Sequence, residues 1–382
     1  MPHQIGIIEI HAHAEAIYSL ASLAKYCNTD VTIFTTRLQY EKAVPFFNGD
    51  EGRYNWILQQ EGETLRSFLK RIEKHCNNKI DLLFLNMFYV LPHHQICYYL
   101  FRPQCVTVHV VGRVECLFGE WKPIDFRSTK LFILSVLHNI SQFIRKRTLP
   151  LFDGLWVENR DAYDDVIARG YEKPLACSPL LFYTEKFQKQ GYSNKLDFIS
   201  IGSITSVRRD YKGLFDAFEK LFDSGRRDIT LTLLGAPVDR EGFQLIERCR
   251  KLIKKGLDIN FYTEYVPEEV LNQKISSADI IIGPNDVNQY GTGTFGAIVK
   301  AMQFAKPGIY PANSLHYEEL ISSSIFYNKI EELPSIIENL LNDPENFKEL
   351  SKNAALNSQK FSFEAVANKF QESVLKRYLI DS

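Results

Sequence analysis

Residues 278–311 read ADIIIGPNDVNQYGTGTFGAIVKAMQFAKPGIYP, and this stretch indicates the fold. A short apolar strand at 280–282 is followed by a loop rich in Gly and Thr, by apolar residues at helical spacing, and by a second strand. Because the loop 288–294 (NQYGTGT) directly precedes the helix, free backbone N–H groups are expected at the helix N-terminus. Such a site favours anions, phosphates above all, whereas the simpler alternative is an ordinary glycine-rich turn.

The same alternation of strand and helix extends along both halves of the chain. Apolar strands are predicted at 5–10, 30–36, 81–88, 105–112, 153–159, 198–203, 228–235 and 258–265, with helical patterns between them. This order predicts an α/β protein with two Rossmann-like, doubly wound domains and a cleft between them. We predict domains at residues 1–190 and 191–360, joined near 179–193, and a final amphipathic helix within 361–382.

The composition excludes several classes of function. The 382 residues carry a formal net charge of -1, which argues against nucleic acid as the main partner because such binding usually needs a basic excess. The seven cysteines are scattered without a CxxC pair, which is typical of reduced thiols in the cytosol. Neither a signal peptide nor an apolar run of about 18 residues is visible, so we expect a cytoplasmic protein.

One segment of the first half, 128–147 (STKLFILSVLHNISQFIRKR), has apolar residues at helical spacing and ends in three basic residues. It predicts either a peripheral helix on the anionic inner face of a membrane or a core helix whose basic end complements the helix dipole.

Several segments of the C-terminal half resemble, in order and spacing, the GT-B glycosyltransferases, and among them the retaining family 4 group. They are FISIGSITSVRRDYKGLFDAFEKL (198–221), LTLLGAP (231–237), ADIIIGP (278–284), KAMQFAKPGIYP (300–311) and FSFEAVANKF (361–370). The resemblance implies that a nucleotide-sugar donor binds mainly to the C-terminal domain and the acceptor to the N-terminal side. It also implies that the last helix crosses back onto the N-terminal domain.

The basic loop after residue 202 matches the family in part. The family has an Arg directly after the strand's Gly and a Lys before a second Gly; here Ser203 occupies the first position, and Lys212 precedes Gly213. The resemblance therefore implies that Lys212 holds the donor phosphates, with Arg208 and Arg209 replacing the missing arginine. No Asp-x-Asp motif is present, which predicts a metal-independent reaction and no cofactor beyond the nucleotide-sugar substrate.

The family's two glutamates, eight residues apart, are missing. Their positions align with Thr292 and Lys300, and a shift of one residue supplies no carboxylate either. A lysine binds phosphate but cannot accept hydrogen bonds from a ribose diol. Donor binding would then depend on Lys300 and on the loop residues Gly291, Thr292, Gly293 and Thr294. The alternatives are an unusual donor or an inactive site.

Two histidines are candidate catalytic groups. His109 ends an apolar strand where the family places a histidine facing the donor sugar, and His13 lies where inverting GT-B enzymes keep a general base. A histidine pKa near 6.5 suits proton abstraction from an acceptor hydroxyl, and Glu15 or Glu9 would orient or replace His13. The histidine pair at 93–94 has no metal-ligand partner at useful spacing, and we predict no metal site.

Three functions follow as hypotheses. The first is transfer of a sugar from a nucleotide-diphosphate donor to a glycan or lipid-linked acceptor, in bacterial surface polysaccharide synthesis. The second is an inactive GT-B partner or glycan-binding subunit, suggested by the missing glutamates. The third is a sugar-nucleotide 2-epimerase, for which no pair of acidic residues is apparent. The stereochemistry stays open, because the family resemblance implies retention and a His13 base implies inversion.

Overall fold

A computed structural model describes residues 3–380 except 12, 78, 87–91, 113, 120, 122, 125, 127, 181, 183–194, 206–208, 286–295 and 313–317. The chain divides into two compact units. The first comprises Met1–Phe182 with Phe363–Ser382, and the second comprises Tyr183–Ser362.

The first unit contains a seven-stranded sheet of order β3-β2-β1-β4-β5-β6-β7, in which every pairing is parallel. Its strands are β1 (Gln4–Glu9), β2 (Asp30–Thr35), β3 (Asn55–Leu58), β4 (Leu82–Asn86), β5 (Val106–Val111), β6 (Gly154–Val157) and β7 (Leu175–Cys177). Helices cover both faces, with a separate apolar core on each, which explains why the central strands are continuously apolar in sequence.

Four of the described helices of the first unit begin directly after a capping side chain. The bounds of this unit's helices are α1 (Ala14–Tyr26), α2 (Arg37–Ala43), α3 (Leu65–Cys76), α4 (Pro92–Tyr99), α5 (Val114–Phe118), α6 (Thr129–Thr148) and α7 (Arg160–Ala168). Short 3-10 helices lie at Val44–Phe47, Glu51–Arg53 and Leu149–Leu151. The side chains of Thr36, Thr64, Ser128 and Asn159, directly before α2, α3, α6 and α7, each accept a hydrogen bond from a backbone N–H of the first turn that follows.

The second unit repeats the design with six parallel strands in the order β10-β9-β8-β11-β12-β13. These strands are β8 (Leu196–Ile201), β9 (Ile229–Leu234), β10 (Ile259–Phe261), β11 (Ile280–Ile282), β12 (Gly308–Pro311) and β13 (Ser324–Tyr327). The helices are α8 (Tyr211–Asp223), α9 (Arg240–Lys255), α10 (Glu268–Ser277), α11 (Gly296–Gln303), α12 (Glu318–Ile321), α13 (Leu333–Asn342) and α14 (Pro344–Ser358). Within the described residues, 3-10 helices lie at Ile330–Glu332 and Gln359–Phe361.

The C-terminal segment returns to the first unit, as the sequence predicts. It consists of α15 (Phe363–Phe370) and a π-helical segment, Gln371–Ile380. Phe370 packs against Phe84 and Trp156 of the first sheet, with ring centroids 5.9 and 5.2 Å apart. The hydroxyl of Tyr378 donates to the carbonyl of Leu155 at 2.6 Å, so this segment completes the first unit's core.

Each sheet reverses its strand order once. The reversal lies between β1 and β4 in the first sheet and between β8 and β11 in the second. Ligands of open α/β sheets bind outside the carboxyl ends of the strands at such switch points. We therefore expect functional residues at two positions: the carboxyl ends of β1 and β4, and the carboxyl ends of β8 and β11.

No helix among the described residues is long and apolar enough to cross a membrane. Helix α6 corresponds to the segment at 128–147, but its apolar side chains do not form a core face. Ile133, Leu137 and Ile140 are exposed, whereas Ser135 and Gln142 are buried.

Candidate active site

A buried carboxylate links β1 and β4 at the switch point of the first unit. Asn86, the last residue of β4, donates from Nδ2 to Oε2 of Glu9 at 2.6 Å, and Glu9 is the last residue of β1. The other carboxylate oxygen of Glu9 accepts the backbone N–H of His11 at 2.7 Å. Both side chains are buried. The contacts fix the start of the loop that carries His11 and His13.

His13 and Glu15, predicted from sequence as catalytic residues, form a pair at the start of α1. Nδ1 of His13 lies 2.8 Å from Oε1 of Glu15, and both side chains are about half exposed. The hydrogen bond to Glu15 raises the pKa of His13 above its ordinary value, against the effect of burial, and the charges of Glu15, Glu9 and Glu158 add to the rise. Burial acts to raise the pKa of Glu15, but the hydrogen bonds from His13 and from its own backbone outweigh it, so the net shift is downward.

This arrangement determines which imidazole nitrogen is available for chemistry. A carboxylate accepts but does not donate, so Nδ1 of His13 carries the proton in the contact with Glu15. In the neutral ring Nε2 then holds the lone pair, which is the state that a general base requires.

Further histidines surround the same strand ends. The ring of His11 stacks on His94 with centroids 4.9 Å apart, and His94 lies 4.1 Å from the ring of His93. The hydroxyl of Tyr98 lies 3.4 Å from Nε2 of His11. Burial, with a smaller contribution from His94, lowers the pKa of His11 to about 4, so this ring is neutral at physiological pH. Within the described part of the chain, no three His, Cys, Asp or Glu side chains are arranged to hold a metal ion.

His109, the second predicted catalytic histidine, lies inside β5 and is completely buried. Its Nδ1 atom lies 2.8 Å from the carbonyl oxygen of Leu85, and its ring stacks on Phe152. Burial lowers the pKa of His109 to about 3, against the contact with Leu85. The side chain is therefore a neutral imidazole at physiological pH, buried within the sheet.

In the second unit, Arg209 lies against the end of β8. Gly202 has φ +111°, and an added Cβ there would overlap the guanidinium of Arg209. The same guanidinium donates to the carbonyl of Ser203 at 3.3 Å and to the hydroxyl of Tyr211 at 3.1 Å. The structure thus brings the predicted donor-binding residues Ser203 and Arg209 together at the second switch point.

Lys212 lies in the first turn of α8, which follows this loop. Asp210 caps the helix by accepting the backbone N–H of Gly213 at 2.8 Å, and an added Cβ on Gly213 would come within 2.7 Å of Asp210 and of Ile330. The tight packing explains the glycine after Lys212. Lys212 is exposed, and none of the described residues accepts a hydrogen bond from its Nζ atom.

Asn285 is a site residue that the sequence reasoning missed. It follows β11, forms an antiparallel β-bridge with Arg209, and is only 6% exposed. Its amide nitrogen is buried, and no described residue accepts a hydrogen bond from it. A buried donor without a partner costs free energy, so such a group at a switch point is a candidate for ligand contact. A polar residue within three positions of the end of a buried strand is the sequence signal that would have found it.

Of the other predicted donor-binding residues, the structure describes Lys300 alone. Nζ of Lys300, on α11, donates to Oδ1 of Asn272 on α10 at 3.2 Å. The residues that lie outside the described parts of the chain are Arg208, Gly291, Thr292, Gly293 and Thr294.

Neither protein-family models nor curated protein sequences match this chain. HepE from Anabaena, solved with UDP, has a TM-score of 0.66 at 14% identity, over 97% of this chain and 99% of its own. A glycosyltransferase from Rickettsia africae has a TM-score of 0.69 at 13% identity, over 100% of both chains.

The fold is GT-B. A Listeria monocytogenes protein assigned as a UDP-N-acetylglucosamine 2-epimerase is also similar in structure to this chain. Its TM-score is 0.58 at 13% identity, over 100% of this chain and 97% of its own. At these identities the likeness extends to the fold alone, so the activity has to be argued from the residues of this chain.

Proposed function

We propose that this protein transfers a sugar from a nucleotide-diphosphate donor to a glycan or lipid-linked acceptor. The observation that carries the proposal is the pair of hydrogen-bond donors at the switch point of the second unit, Arg209 and Asn285, which are joined by a β-bridge beside the ends of β8 and β11. Lys212 lies in the first turn of the helix that follows. Two cations and a buried amide favour an anionic ligand there, and a diphosphate supplies several acceptor oxygens.

Sugar transfer from a nucleotide-diphosphate needs positive charge beside the leaving diphosphate. When the bond between the anomeric carbon and the diphosphate breaks, negative charge grows on the leaving oxygen, and positioned donors stabilise it. The cations of Arg209 and Lys212 serve this purpose, so the proposed reaction needs neither a metal ion nor a cofactor. That HepE was solved with UDP supports a nucleotide as ligand.

His13 takes the acceptor proton in this proposal. The acceptor hydroxyl oxygen bonds to the anomeric carbon, its proton passes to Nε2 of His13, and the electron pair of the broken bond leaves with the diphosphate. Glu15 holds the imidazole through Nδ1 and stabilises the imidazolium that forms. We assign no proton transfer to His109, because it is completely buried. A direct displacement of this kind inverts the anomeric centre, so the product's configuration tests the role of His13.

A second candidate is a GT-B protein that binds a nucleotide or glycan without transferring sugar. The specific observation in its favour is that Lys300 stands where the family has a glutamate, and its ammonium donates a hydrogen bond to Asn272.

We also propose that the sugar is added to a bacterial surface polysaccharide, as the sequence resemblance implies.

Titration calorimetry of the purified protein with UDP, GDP and ADP is the first experiment, followed by incubation of nucleotide-sugars with and without candidate acceptors. Binding of a nucleoside diphosphate and release of that diphosphate only with acceptor are expected. Binding without turnover would support the non-catalytic alternative, and conversion of UDP-N-acetylglucosamine to its 2-epimer without acceptor would support an epimerase. If no nucleotide binds, the proposal fails.

A further inference from the structure

Helix α6 has an inverted distribution of polar and apolar side chains. Ser135, Asn139 and Gln142, spaced four and three residues apart, share one face of the helix and are buried. Ile133, Leu137 and Ile140 share the opposite face and are between 43% and 49% exposed. A helix of an ordinary domain buries its apolar face, so this arrangement indicates that a further apolar environment covers the outer face.

Exposed apolar side chains also lie outside this face. Trp121 and Phe126 precede α6, and Phe126 is 79% exposed. Ile124, Phe126 and Leu134 line an open groove beside the helix, on the side that carries Ser135. We name the outer face of α6 the outward apolar surface (Ile133, Leu137, Ile140 and Phe143). Aromatic residues such as Trp and Phe are typical of the boundary between lipid head groups and acyl chains.

Positive charge accompanies this surface. Residues 128–148 contain Lys130, Arg145, Lys146 and Arg147 and no Asp or Glu. Arg147 lies over the ring of Phe143, with 4.6 Å from the guanidinium carbon to the ring centroid, and Lys146 is also exposed. Basic groups at the edge of an apolar face add electrostatic attraction to anionic lipids.

We propose that the outward apolar surface docks the protein on an anionic lipid membrane, with α6 lying in the plane of the interface. Charge complementarity favours lipid over a second copy of the chain. A symmetric dimer through this surface would bring two basic segments together, and neither offers a carboxylate between 128 and 148. The inference is independent of sugar transfer, because it depends on a different part of the chain.

Flotation with lipid vesicles tests the proposal. The full chain is mixed with vesicles of phosphatidylcholine alone or with added phosphatidylglycerol, at low and high salt. Flotation is expected with the anionic vesicles and is expected to weaken in high salt.

Three variants separate the apolar and electrostatic contributions. Ile133→Asp combined with Leu137→Asp is expected to abolish flotation, and Lys146→Gln combined with Arg147→Gln to lower the partition coefficient by about tenfold or more. Leu38→Asp is the matched control, because Leu38 is 58% exposed on α2 of the same unit and should leave binding unchanged.

Two results would overturn the inference. The first is a failure of the wild-type protein to float with anionic vesicles while it is folded by circular dichroism. The second is a dimer in sedimentation analysis that Ile133→Asp with Leu137→Asp converts to monomer without any change in flotation, which would assign the surface to a second copy.

Discussion

The amide of Asn86 donates to the carboxylate of Glu9 at 2.6 Å, although the two residues are 77 positions apart in the chain. Each is the last residue of its strand, and the strands are neighbours only because the sheet reverses its order between β1 and β4. The bond therefore connects the switch point to the loop that carries His11 and His13.

Asn86→Ala should lower the free energy of unfolding by about 1–3 kcal/mol at neutral pH, because the buried carboxylate of Glu9 loses a hydrogen bond. The cost should be smaller in a Glu9→Gln background, where no buried charge depends on the amide. Denaturant unfolding of the two single variants and the double variant measures this coupling. Equal costs in both backgrounds would show that the contact is energetically unimportant.

Glu15→Gln should lower the pKa of His13, because the carboxylate hydrogen bond that raises it is replaced by a neutral one. Since a raised pKa keeps the imidazole protonated to higher pH, the acid limb of the transferase kcat/KM profile should move to lower pH in the variant. NMR titration of the ring measures the pKa directly. Glu41→Gln is the control, because Glu41 pairs with Arg37 on α2, and a change there equal to that of Glu15→Gln would contradict the assignment.

Lys212→Ala should weaken binding of a nucleoside diphosphate by about tenfold or more, as expected for loss of a hydrogen bond between charged groups. Lys220→Ala is the matched control: it removes an exposed lysine from the same helix about 12 Å further along. Calorimetry should separate the two variants, and equal affinities would exclude Lys212 from the phosphate site.

Asn285→Ala should also weaken nucleotide binding, and Asn285→Asp should weaken it further, because a carboxylate would face the diphosphate where an amide donor was available. Affinity is measured by calorimetry on variants whose thermal unfolding matches that of the wild type. Unchanged binding in both variants, with the wild type binding normally, would remove Asn285 from the site and leave the proposed function intact.

Gly154→Ala should destabilise the first unit, because the added Cβ would overlap the ring of Tyr378 at the C-terminal segment. Tyr378→Phe should cost about 1 kcal/mol, since its hydroxyl bonds to the carbonyls of Leu155 and Pro174. Thermal unfolding checks both, and Gly52→Ala is the control because an added Cβ there meets nothing within 4 Å. A loss for Gly52→Ala equal to that for Gly154→Ala would contradict the steric argument.

Much of the architecture was predictable because it depends on local pattern. Continuous apolar runs such as 5–10 and 280–282 indicate buried parallel strands, and the structure places β1 and β11 there. The short strands β3, β7 and β13 were missed, since three or four residues give too little periodicity. The final helix was predicted, but its π-helical end was not.

The candidate site was less accessible to sequence reasoning. His13 and Lys212 were assigned from the family resemblance and Glu15 from its closeness to His13 in sequence, and their roles stay predictions. Asn285 carries no motif, and it was found because no described residue accepts a hydrogen bond from its buried amide nitrogen. The pair at 93–94 was discounted because it has no metal-ligand partner at useful spacing, and spacing along the chain cannot reveal that His94 stacks on His11.

The sequence by itself determined the α/β class and the two doubly wound domains, because hydrophobic periodicity records which faces are buried. The GT-B fold and the return of the last helix were implied by the family resemblance. Only the tertiary structure decided which polar groups meet. It placed His109 in the core, joined Asn86 to Glu9, and turned the apolar side of α6 outward. These outcomes depend on contacts between residues distant in the chain, and no local pattern encodes them.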